Sequence, residues 1–155
     1  MQSTNDAVGV RIPPSFEYAH TVLLEETNVV GNVYFARHIA WQGRCREMFL
    51  KLHAPSVAAE LGGTLRLVTT SVECTYFDEI RAFDEILIRL SLVSHGPGRA
   101  RLAFDYVRKD PSGVEQLVAH GEQQIACLRQ AVNGNSEPQP FPPDLLAALE
   151  RFSGN

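Results

Sequence analysis

The sequence predicts an α+β fold, with one long helix set against an antiparallel sheet. Three observations predict it. From Tyr34 to Leu52, apolar residues and one histidine recur at steps of four and three, the period of a helix. From Val68 onward the period drops to two and stays there through four successive runs. Between those runs lie Ser94-His95-Gly96-Pro97-Gly98 and Lys109-Asp110-Pro111-Ser112-Gly113, both with the composition of hairpin loops. A helix with an apolar stripe and a sheet with an apolar face bury each other in two layers. The 155 residues, 45% of them apolar, are enough for one domain with one core.

Each element follows in order. Residues 1–15 are polar and interrupted by Pro13-Pro14, and they predict a flexible arm. The folded domain is expected over 16–130. Phe16 to Glu25 predicts a first strand. Glu26 to Asn32 is turn-like, and Gly31 there has access to positive φ. Val33 to His53 predicts the long helix, with Asn32 as its N-cap. Its stripe is Tyr34, His38, Trp41, Cys45, Met48 and Leu52, widened by Phe35, Ile39, Gln42 and Phe49. So wide an arc is expected to be largely surrounded. The strand runs are Val68–Phe77, Glu85–Leu92, Arg101–Tyr106 and Leu117–Leu128. In the first, Val68, Thr70, Val72, Cys74 and Tyr76 are expected on one face and Thr69, Ser71 and Glu73 on the other. Residues 131–155 predict a polar linker over 131–140 and a short helix after Pro142-Pro143, with Leu145, Leu149 and Phe152 on one side.

Composition excludes several functions. A net charge of −4 argues against a nucleic-acid binder, which needs a basic stripe. No apolar run is long enough to span a membrane, and the first ten residues lack the order of a signal peptide. A cytoplasmic protein is expected. Cys45, Cys74 and Cys127 are too few and too scattered for a disulfide framework or a zinc site, and no metal site is expected. There is no HExxH, GxSxG or phosphate-binding loop.

Two places hold candidate chemistry. At the helix entrance the first N–H groups have no partner in the helix, so they suit a developing oxyanion. Asn28 stands there, able to bond a substrate carbonyl or a water, or only its own turn. Arg46 is the second. It sits at the edge of the apolar arc, where it must pair, reach out to solvent or point into a polar cavity. Glu73 and Glu122 are the candidate carboxylate partners. Among the histidines, His38 alone lies on the apolar stripe.

The stretch Thr27-Asn28-Val29-Val30-Gly31-Asn32-Val33-Tyr34-Phe35, continued by Trp41-Gln42-Gly43-Arg44-Cys45-Arg46-Glu47-Met48-Phe49-Leu50, carries a resemblance. It resembles hotdog-fold thioesterases of the 4-hydroxybenzoyl-CoA thioesterase type, and within them the thioesterases of enediyne polyketide biosynthesis. The resemblance implies a central helix wrapped by a curved five-stranded antiparallel sheet. It implies a homodimer formed by strand pairing, often doubled to a tetramer, with sites shared between chains. Asn28 falls where many relatives carry a catalytic aspartate, and Gly43 where many carry glutamate. In the enediyne subgroup Asn at the first position and Arg at the Arg46 position accompany activity, and the Phe35 N–H matches the oxyanion donor. His38 departs from the tyrosine expected in that subgroup.

Asn28 is neutral and Arg46 does not lose its proton, so neither is a base. The implied chemistry is an oriented water and a stabilised oxyanion, with Asn28, Arg46 and the Phe35 N–H as catalytic groups. The implied substrate is a linear polyene β-ketoacyl chain on the phosphopantetheine of a carrier-protein domain in an iterative polyketide synthase, with no resident cofactor. Tyr34, His38, Ile39, Phe49 and Thr69 are the expected substrate contacts, with Phe35, Val68, Val72 and Tyr76 as further lining. The competing possibilities are an acyl-CoA thioesterase of general metabolism and a non-catalytic acyl-binding hotdog module.

Overall fold

The computed structural model describes residues 14–154. Of the predicted arm, only Pro14 and Ser15 fall among them, and neither is in a regular element. The strands are β1 (Phe16–Thr21), β2 (Leu65–Tyr76), β3 (Glu85–His95), β4 (Arg99–Lys109), β5 (Glu115–Gln130) and β6 (Ser136–Pro138). The helices are α1 (Ala36–His53), α2 (Pro55–Glu60) and α3 (Pro143–Glu150). Five long antiparallel strands run in the order β1-β3-β4-β5-β2, with β6 added against the end of β5. The sheet curls into a half-barrel, and α1 packs against β1, β2 and β3. This is the α+β hotdog architecture.

Alternation in the middle strands builds the core. Ile86, Ile88, Leu90 and Leu92 of β3 and Ala100, Leu102, Phe104 and Tyr106 of β4 are buried on one face, against Trp41, Cys45 and Phe49 of α1. The β4–β5 turn is built by Asp110, whose Oδ1 accepts from the N–H groups of Ser112 and Val114, with Gly113 at φ 85. α3 closes one end with Leu145, Ala148 and Leu149.

The structure departs from the sequence expectations at five points. The first strand ends at Thr21, because Leu24–Glu26 coil into a short 3₁₀ turn. The long helix starts at Ala36, and Asn32 is not its cap. The Val33 N–H donates to the Ile80 carbonyl and the Tyr34 N–H to the Glu26 carbonyl, while Asn32 bridges Arg81. The backbone before Phe35 is therefore spent on distant partners. The apolar arc is also less enclosed than its width suggests, since Leu52 on the helix and Tyr34 and Phe35 just before it are exposed. Strand β2 carries a bulge: Thr69 pairs with Ile125 and Ser71 with Gln124, leaving Thr70 as the extra residue. A bulge reverses the alternation, so Thr69 and Tyr76 both reach α1 instead of facing opposite ways. Finally, the residues expected as a linker form a tight turn at Gly134 and the paired strand β6.

Candidate active site

The turn before α1 is held by Asn28. Its N–H donates to the Asn32 carbonyl at 2.8 Å, and its Oδ1 accepts from the N–H groups of Val30 at 3.1 Å and Asn32 at 3.3 Å. Gly31 sits at φ 88, a conformation that favours glycine. The side-chain oxygen of Asn28 is thus committed to its own turn, and the amide NH₂ is its remaining donor.

Asn28, Asn32, Tyr34, Phe35 and His38 form one wall of a cleft of about 630 Å³, and Tyr76 to Ile80 form the other. Phe35 stands at the N-cap of α1 with no capping side chain. Among the described residues its N–H meets no acceptor, while its carbonyl accepts from the Tyr76 hydroxyl at 2.7 Å. The first turn of the helix is therefore pinned and its leading donor is free, which is the arrangement that stabilises a developing oxyanion. The carboxylates at the rim are engaged. Asp78 is ion-paired to Arg108, which holds its pKa below the usual range, and Glu79 faces Arg81 at 3.7 Å.

His38 lies on the inner wall, 3% exposed, ringed by Tyr76 at 4.6 Å, Trp41 at 5.2 Å and Tyr106 at 5.6 Å between ring centroids. Burial lowers its pKa to about 4, with the Phe35 carbonyl offsetting part of that shift. The imidazole is neutral at pH 7.

Arg46 is elsewhere in the protomer. Ten residues separate it from Ala36, about 15 Å of helix rise. Its Nη1 donates to Thr69 Oγ1 at 2.8 Å and to Gln123 Oε1 at 3.0 Å. Gln123 Nε2 donates to Gln42 Oε1 at 3.0 Å, and Gln42 Nε2 donates to the Glu73 carbonyl at 3.2 Å. Neither expected carboxylate pairs with Arg46. Glu73 offers only its carbonyl, and Glu122 lies near Arg101 and His120. The guanidinium is held by neutral oxygens, so its charge is left for another group. Burial lowers its pKa, partly offset by neighbouring Glu47, but from so high a value that it stays protonated.

Of the residues singled out in the sequence, Asn28, Tyr34, Phe35 and His38 share the cleft. Arg46 and Thr69 meet each other, farther along α1. Ile39 is half-buried. Phe49 is 1% exposed and packs edge-on against Phe16 and Phe152, so it is part of the core and not of the cleft wall. Gln123, which the sequence did not single out, and Gln42, which it placed on the arc without a role, are the buried amides that orient Arg46. A glutamine inside an apolar arc was the one signal available for Gln42. Among the described residues, no three His, Cys, Asp or Glu side chains gather as a metal site, and no helix is long and apolar enough to cross a membrane.

A family model described as the thioesterase-like superfamily matches residues 22–149. A search of the curated proteins finds no match. Among solved structures, the dynemicin thioesterase, studied for induced-fit and allosteric effects upon polyene binding, is 45% identical. The match covers 90% of this chain and 97% of that one, with a TM-score of 0.85. The 1,4-dihydroxy-2-naphthoyl-CoA thioesterase from Synechocystis is 19% identical over 87% of this chain and 95% of that one, with a TM-score of 0.76. A 4-hydroxybenzoyl-CoA thioesterase complexed with 4-hydroxybenzoyl-CoA is 14% identical over 87% and 98%, with a TM-score of 0.76. At those lower identities the likeness is one of fold. With a curled sheet around a helix, a free N–H at the helix entrance and a family match over most of its length, the chain belongs to the thioesterase-like superfamily and is a thioester hydrolase.

Proposed function

We propose that this chain hydrolyses the thioester of a linear polyene β-ketoacyl chain carried on the phosphopantetheine of an acyl carrier domain, releasing the product of an iterative enediyne polyketide synthase. The observation that carries the proposal is the 45% identity, over nearly the whole chain, to a thioesterase studied with bound polyene. The apolar surroundings of the cleft support it, since Tyr34, Phe35, Tyr76 and Phe77 present exposed rings at or beside its mouth.

In this mechanism the thioester carbonyl points at the Phe35 N–H. The amide of Asn28 donates to that carbonyl or orients the water. Arg46 stabilises negative charge on the oxyanion or the departing thiolate. Because Arg46 lies about 15 Å along α1 from the entrance of its own chain, it acts at the entrance of a partner. A homodimer joined along the exposed edge strand β2, doubled to a tetramer, would supply that pairing. The enzyme needs no resident cofactor, and the reaction takes place in the cytoplasm.

The test is turnover of a polyene β-ketoacyl chain on carrier protein and on coenzyme A. Preference for the carrier-bound substrate is expected. Asn28→Ala and Arg46→Ala are each expected to fold and to lose about 10²–10³ in rate, the usual cost of a lost oxyanion donor. Full hydrolysis by both variants would overturn the mechanism, and equal or better turnover of the coenzyme A thioester would overturn the carrier assignment.

A further inference from the structure

We infer that the imidazole of His38 is the general base of this site, taking a proton from the water that attacks the thioester. The inference rests on the hydrolase function proposed above and supplies the base that Asn28 and Arg46 cannot be.

Among the described residues, two buried side-chain polar atoms find no hydrogen-bond partner: Asn32 Oδ1 and His38 Nδ1. Both residues line the cleft at the helix entrance. A buried polar group left unmade costs about 1–3 kcal/mol. Two such atoms in one cleft, beside a backbone N–H with no acceptor among the described residues, mark a place where a further group completes the bonding. A water fits here, giving one hydrogen to Asn32 Oδ1 and the other to the imidazole nitrogen that carries the lone pair, while the ring N–H has the Phe35 carbonyl nearby.

The histidine is also fixed in place. Tyr106 donates its hydroxyl to the His38 carbonyl at 2.6 Å, and Tyr76 donates to the Phe35 carbonyl at 2.7 Å. These two bonds clamp the turn that carries both the oxyanion donor and the imidazole. Residues three apart on a helix share a face, so His38 stands beside the N–H it would serve.

Among the described residues, no other group lining the cleft competes for the role. Asp78 and Glu79 are engaged by arginines. Burial raises the pKa values of Cys74, Tyr76 and Tyr106, so all three are protonated at neutral pH. His38 is neutral, and a neutral imidazole always carries one lone pair. With its conjugate acid near pH 4, its basicity matches that of an ordinary carboxylate. Unlike a carboxylate it becomes a cation on taking the proton, and that cation forms next to the oxyanion.

The step balances. The water oxygen bonds to the carbonyl carbon as its proton passes to His38. The carbonyl electron pair moves to oxygen, which accepts the Phe35 N–H. The tetrahedral intermediate then re-forms the carbonyl, the C–S bond breaks, and the thiolate takes the proton back from His38. A carboxylic acid and a thiol leave, and the imidazole is neutral again.

The experiment uses the full chain in its native assembly and a β-ketoacyl thioester of N-acetylcysteamine. His38→Phe, His38→Gln and His38→Ala are compared with the parent, with circular dichroism as the check on folding. The expected result is a loss of about 10²-fold or more in kcat in all three, with KM changed less than about twofold. The parent rate should be flat near neutrality and fall as pH drops through about 4, and that limb should be missing from the variants. Added imidazole should restore part of the rate of His38→Ala. A folded His38→Gln with parental kcat would overturn the inference, as would failure of imidazole rescue together with an unchanged acid limb. A parent inactive on every thioester would overturn the hydrolase function itself, and this inference with it.

Discussion

Glu26 shows how single residues hold the entrance of this fold together. Its carboxylate is 4% exposed, yet it accepts from the Leu23 N–H at 2.9 Å, the Trp41 indole at 2.8 Å and His20 at 2.9 Å. Burial alone would raise its pKa, but these donors outweigh burial and the value lies below the usual one. A lowered folded-state pKa contributes stability above the unfolded value near 4.3, and that stability is lost as pH falls through the folded value. Glu26→Ala strands three donors and is expected to cost about 3 kcal/mol at pH 7. In denaturant melts the gap between the two proteins should narrow as pH drops below about 4. Gly43 is a contrasting residue. A Cβ there would meet nothing within 4 Å. Gly43→Ala is expected to raise the thermal midpoint, since alanine gains up to about 1 kcal/mol over glycine inside a helix.

At the scale of elements, strands β2 and β5 and helix α1 make one polar assembly inside an apolar layer. The bulge at Thr70 turns Thr69 toward Arg46, and Gly121 of β5 leaves the space that Gln42 fills. A Cβ on residue 121 would collide with Gln42 Nε2 and lie 2.9 Å from the Glu73 carbonyl. Gly121→Ala therefore displaces Gln42 and breaks the chain of bonds through Gln123 to Arg46. The expected outcome is a loss of about 1–3 kcal/mol in unfolding free energy, the range for an overpacked core. A larger fall in kcat than in KM should accompany it, read from steady-state hydrolysis. Parental stability and kcat would show that this relay does not position Arg46.

For the whole molecule, the open question is set by β2. It is an edge strand, and Val68, Val72 and Tyr76 on it are 39%, 43% and 44% exposed. Natural sheets blunt or cover such edges, and pairing with a second copy is one way to cover them. Under the proposed β2-paired dimer, Val72→Lys is expected to shift the protein toward monomer in sedimentation and to abolish hydrolysis, since each chain would then lose the other's Arg46. A monomeric variant with full activity would show that one chain holds a complete site. Charge bears on the same scale. The net −4 opposes the acidic carrier domain proposed as partner, so that docking would need local cations. Arg99 and Arg101 on β4 are exposed, and Arg101 faces Glu122 at 3.8 Å.

The sequence by itself determined the order of elements, the long helix, the four later strands and the hairpin loops. Those features rest on period and turn chemistry, which neighbouring residues decide. Asn28 and Arg46 stood out locally, by the helix entrance and the edge of the apolar arc, and their expected roles came only from the resemblance. The tertiary structure alone decided where the helix begins, because Val33 and Tyr34 spend their N–H groups on Ile80 and Glu26. It alone decided that Arg46 bonds Gln123, 77 positions away, and that Phe49 belongs to the core. It alone buried His38 on the wall of the cleft, with Nδ1 unpartnered among the described residues. Each of these depends on which distant residues meet, and local pattern carries no record of that.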